Sequence, residues 1–182
     1  MLKKFLGLGD EGGSDAGDTA TVRRIAAELD RLPVEKARYL AGFAYVLARV
    51  AHADLDIDDD ETTEMERIAT QLASLSSPEA ALVVQIAKSQ AKLLGETENY
   101  VVTREFRKYS TKEQRGELLQ CLFAVAAANG TISNVESSEI SVIGEELGFT
   151  RPEINAVPSS KPAPNKRPLG LTRERGPGQG GA

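Results

Sequence analysis

Val46-Leu47-Ala48-Arg49-Val50-Ala51-His52-Ala53-Asp54-Leu55-Asp56-Ile57-Asp58-Asp59-Asp60-Glu61, running on to Leu72, has a counterpart 75 residues later. That counterpart is Cys121-Leu122-Phe123-Ala124-Val125-Ala126-Ala127-Ala128-Asn129-Gly130-Thr131-Ile132-Ser133-Asn134-Val135-Glu136, running on to Leu147. Leu47, Val50, Ala51, Ala53, Ile57, Glu61, Glu64, Ile68 and Leu72 meet Leu122, Val125, Ala126, Ala128, Ile132, Glu136, Glu139, Ile143 and Leu147, nine identities in 27 positions. Each copy reads as a helix, a short polar turn and a second helix opening on acids. A single helical hairpin cannot bury its own apolar stripe, so two copies packed together would make one core.

Outward from these stretches the periodicity stays helical. Tyr39, Leu40, Phe43, Val46, Leu47 and Val50 recur at spacings of three and four, which puts one apolar stripe on a long helix that Pro33 would open. Leu118, Leu119, Leu122, Phe123, Val125 and Ala126 repeat the pattern, and Leu82, Val83, Ile86, Leu93 and Leu94 form a third stripe after the Ser77-Pro78-Glu79 start. Capping-box spacing marks further starts at Asp58…Glu61, Ser110…Glu113 and Ser133…Glu136, and Gly148 suits the residue after a helix end at Leu147. No segment alternates with period two between hairpin turns. The expectation is an all-α bundle of about seven helices, built from two pseudo-twofold helix-hairpin repeats.

Charge separates the chain into parts. From Pro158 onward five basic residues face one acid, a net +4, while the preceding 157 residues carry 17 basic and 26 acidic groups, a net −9. An acidic body is a poor partner for nucleic acid, which needs clustered Lys and Arg. The division is a flexible segment at 1–18, a helical domain at 19–157, and a Pro/Gly-rich basic tail at 158–182 that composition predicts to be disordered. Met1–Leu8 is short, basic and apolar; it fits a peripheral membrane contact or a terminus docked on the core. Gly7-Leu8-Gly9-Asp10-Glu11-Gly12 matches G-x-G-x-x-G, but no strand precedes it, so a dinucleotide site is excluded. One cysteine excludes a disulfide framework and a cysteine-based zinc cluster. With no spanning apolar run and no signal-peptide pattern, the expected location is the cytoplasm.

The doubled motif resembles the repeated A-D-G-x-I-x-x-x-E element of the TerB tellurite-resistance family, a relative of which begins certain DnaJ-like co-chaperones. The resemblance covers roughly 20–154. It implies an all-helical bundle in which acids of both repeats form a divalent-metal site, in bacterial proteins linked to tellurite and other chemical stress, without an established reaction. Leu55 stands where the family has glycine in the first copy, and Asn129 where it has aspartate in the second, so the second half-site is the less acidic.

From Asp54 to Glu66 there are eight acids in thirteen residues. Oxygen-only donors suit a hard cation of the Ca²⁺ or Mg²⁺ class. An EF-hand register from Asp54 fails at Asp59, which should be glycine, and at Met65, which should be glutamate. Glu61 and Glu64 share one helix face, as do Glu136 and Glu139. The candidate metal set is therefore Asp54, Asp56, Glu61, Glu64, Asn129, Glu136 and Glu139. The competing account is acids at helix N-termini, favoured by the dipole and by capping. His52 fits either a ligand or a structural imidazole, and Cys121 reads as a buried thiol. No nucleophile and base are paired, and the expectation is a non-enzymatic module that binds a divalent cation and a protein partner. The alternative is a metal-independent interaction or scaffold domain.

Overall fold

The computed structural model describes residues 16–51, 59–91, 99–128 and 130–157. Eight helices occur among them: α1 (Ala16–Asp30), α2 (Val34–Ala51), α3 (Asp59–Leu72), α4 (Ser77–Ala91), α5 (Asn99–Tyr109), α6 (Lys112–Ala127), α7 (Asn134–Glu146) and α8 (Arg151–Ala156). None of the described residues lies in a strand. The all-α bundle expected from the sequence is the fold.

α2 is the hub, packing against α1, α4, α5, α6 and α7. The stripe Tyr39–Val50 accounts for only part of this. Ala37, Ala41, Ala44, Ala48 and Gly42 are buried as well, so the helix is enclosed on nearly every side. Small residues between the large ones let neighbouring helices approach closely, and a helix apolar all round belongs in a core. At Gly42 the approach is closest: a Cβ there would meet Phe106 Cδ2 and the Tyr109 hydroxyl. Tyr39, Phe43, Phe106 and Tyr109 form the aromatic chain at this point, with centroid separations of 5.6–5.9 Å. Met65 and Ile68 of α3, Leu118 and Leu122 of α6, and Ile140 and Ile143 of α7 close the same core from the other side. α2 packs against α6 and α7, and α3 against α6.

Helix starts follow the capping logic with small shifts of register. At α7 the Ser133 hydroxyl accepts from Glu136 N while Glu136 accepts from Ser133 N, as the spacing predicts. At α6 the cap is Thr111, paired reciprocally with Gln114, and not Ser110 with Glu113. Ser110 instead closes α5, its hydroxyl donating to Phe106 O. At α4 the Glu79 carboxylate accepts from Ser76 N, so the capping role falls on Ser76, one residue before the expected Ser77. Pro33 precedes α2, and its carbonyl takes the first helical bond from Ala37. Gly148, at φ 91°, occupies the left-handed position after α7 that favours glycine. The Asp58 cap and the Leu93–Leu94 end of the third stripe lie outside the described residues.

Candidate functional site

The acids of α3 begin at its first turn, where Asp59, Asp60 and Glu61 lie at the positive end of the helix dipole. Glu64 follows one turn on. α7 presents Glu136 in the same way, held by its reciprocal bonds to Ser133, at 2.7 Å to the Ser133 N. Between these two helix starts lies a groove of about 460 Å³. Its base is apolar, made by Val50, Met65, Ile68, Val125 and Ala126, and its rim is acidic, made by Asp60, Glu61, Glu64 and Glu136. Residues of α2, α3, α6 and α7 therefore line one groove.

Of the seven expected cation donors, Glu61, Glu64 and Glu136 line this groove. Glu139 is not among the lining residues. Its Oε1 accepts from Arg49 Nε at 2.9 Å and Nη2 at 2.7 Å. Arg49 also donates from Nη1 to Glu146 Oε2 at 2.6 Å and to the Thr103 hydroxyl at 2.7 Å. One buried guanidinium thus ties α2 to α5 and α7. Asp54, Asp56 and Asn129, with His52, lie outside the described residues. Yet groove residues flank them: Ala51 and Asp60 bracket 52–59, and Ala128 and Thr131 bracket Asn129.

Glu64 is also engaged. Arg67 on the next turn donates to both its oxygens, at 2.5 and 2.7 Å, and this pairing holds the Glu64 carboxyl below its ordinary range. Among the described residues no group of three or more His, Cys, Asp or Glu is placed to hold a metal ion. The described acids fit a hard cation in donor type, but a complete coordination sphere would need oxygens from 52–58 and Asn129.

The repeat did not reveal Arg49. Its counterpart in the second copy is Ala124, so the 75-residue comparison passes over it. The available signal was the one arginine in Tyr39–Ala51, the otherwise apolar part of the helix, which must find partners when buried. Cys121 is buried, with Sγ 4.0 Å from Ile68 O. Burial, reinforced by Glu117, pushes its thiol far above the ordinary range, which favours the protonated form.

Fold and site define an all-α bundle in which α2, α3, α6 and α7 line an acidic, apolar-floored groove. Residues 40–158 match the model of the family described as tellurite resistance protein TerB, and the chain belongs to that family. No curated protein and no solved structure matches the chain. Among the described residues no helix is long and apolar enough to cross a membrane.

Proposed function

We propose that this chain is a non-catalytic TerB module of the cytoplasm that binds a divalent cation and, with it, a protein partner in the response to tellurite or other chemical stress. The observation that supports it is that Glu61 and Glu64 of α3 and Glu136 of α7 line one groove. Carboxylate and amide oxygens select Ca²⁺ or Mg²⁺ over zinc. Asp54, Asp56 and Asn129 would complete the set, since groove residues flank them in the chain. Glu139 serves a different end here, as the carboxylate that neutralises Arg49 beside the groove.

Calorimetric titration with Ca²⁺, Mg²⁺ and Mn²⁺ tests this. Glu61→Gln and Glu136→Gln should each weaken binding, and their effects should be non-additive because they touch one ion. Bound cation should raise the melting temperature of the wild type by mass action and leave the double variant almost unmoved. Absence of binding below about 1 mM, the weak end of natural Ca²⁺ sites, would remove the cation from the proposal. Partner capture that persists in chelator, but fails on charge reversal at Asp58–Asp60, would mark a metal-independent interaction module.

A further inference from the structure

The groove has two chemistries that a small cation would not use together: an apolar base and a rim of four carboxylates, of which Glu64 is already paired with Arg67. A ligand matching both would insert aliphatic side chains and surround them with cations. The chain itself contains such a segment. Lys166-Arg167-Pro168-Leu169-Gly170-Leu171-Thr172-Arg173-Glu174-Arg175 places two leucines two residues apart, with two basic residues on each side. Along an extended backbone, residues i and i+2 project on the same side, roughly 7 Å apart. The two leucines could therefore enter one apolar slot while the flanking cations reach the rim. We propose that the groove is the docking site of this chain's own 166–175 segment, which occupies it in cis.

Three further observations support this occupant. The body is net −9 and the segment from Pro158 onward net +4, so the attraction is between oppositely charged parts. The reach is sufficient: Ile154 packs on Gly144, and Gly144 lies eight residues along α7 from Glu136, about 12 Å at 1.5 Å per residue. From Val157 to Lys166 the chain advances nine residues, up to about 30 Å when extended. A tether of that length also supplies an effective concentration near millimolar, so a contact too weak to hold a free peptide would still close within one chain. The docking shares the groove with the proposed cation but does not depend on it, because the leucines sit on Val50, Met65, Ile68, Val125 and Ala126 and not on an ion.

The test uses the full chain, ¹⁵N-labelled, in EDTA at low salt, compared with Leu169→Asn/Leu171→Asn. These substitutions change none of the core residues of the described helices. In the wild type the amides of Leu169 and Leu171 should show order parameters above about 0.6, falling below that value in the variant. The amides of Met65, Ile68, Val125 and Ala126 should shift between the two proteins. Both effects should survive tenfold dilution and should fade as salt shortens the screening length towards about 3 Å at 1 M. Coincident groove resonances in wild type and variant would overturn the docking, and so would an effect lost on dilution, which marks pairing between chains. Cation binding with an unresponsive 166–175 segment would leave the cation proposal standing and remove this one; an ordered segment in EDTA with no cation binding would do the reverse.

Discussion

Replacing Arg49 by methionine should cost the bundle about 3 kcal/mol, because it strands two carboxylates. The Arg49 side chain is 6% exposed and Glu146 11%, so their pairing is made away from water. Removing one partner of a buried pair typically costs about 3–5 kcal/mol, mostly as the desolvation of the charge left behind. Glu139 is 35% exposed, and solvent takes up part of its loss, which places the estimate at the lower end of that range. Methionine fills much the same volume, so a cavity adds little. For a bundle of this length, 3 kcal/mol corresponds to a fall in melting temperature of about 10 °C. Urea denaturation followed by circular dichroism reads the change directly, with an unaltered slope confirming that the same fold is lost. Adding Glu139→Gln and Glu146→Gln to Arg49→Met should restore about half of the loss by removing the unpaired charges. A single variant within 1 kcal/mol of wild type, or a triple variant no more stable than the single, would refute the assignment of Arg49 as the charge that holds α7 to α2.

Glu153 accepts from Lys112 Nζ at 2.7 Å and from the Thr150 amide and hydroxyl, and these bonds hold its carboxyl at about 2. A carboxyl lowered in the folded state stabilises above its unfolded pKa, near 4.3. The capping of α8 should therefore weaken as pH falls from about 4.5 towards 2; a carboxyl NMR titration of Glu153 reads it, and a midpoint above 4 would show the bonds are not made. Gly42→Ala should destabilise by about 1–2 kcal/mol, since its Cβ would lie 2.7 Å from Phe106 Cδ2 and overpacking outweighs the helix-propensity gain. Gly116→Ala is the contrasting case: its nearest neighbour is Phe149 Cζ at 3.9 Å, so the same substitution should be neutral or stabilising by up to about 1 kcal/mol in thermal melts.

The helices were legible because their signals are local. Ser133 and Glu136 sit three residues apart in the chain and three apart in the cap, so spacing and structure coincide. The register errors at Ser110 and Ser77 arise where two polar residues adjoin: Ser110 or Thr111, and Ser76 or Ser77, could each cap. Which one does depends on where the preceding segment ends. Ser110 is consumed by Phe106 O at the close of α5, and Thr111 is left to begin α6. Periodicity weighs large residues and so shows the central helix as one stripe. The alanines and Gly42 on its other faces look neutral in sequence, yet they are buried by five neighbouring helices.

By itself, then, the sequence determined the helical class, the main core stripes, the acidic helix start at Glu136 with its Ser133 cap, and the TerB membership that the doubled motif signalled. These follow from rules acting within a few residues, or from a pattern written twice. The tertiary structure alone decided which acids face the groove and which do not. Glu64 and Glu139 are equivalent in the repeat, but one is paired with Arg67 three residues away and the other with Arg49, ninety residues away. The physical reason is that a buried guanidinium must recruit whatever carboxylates the packing brings within reach, and that reach is set by helix packing between distant segments.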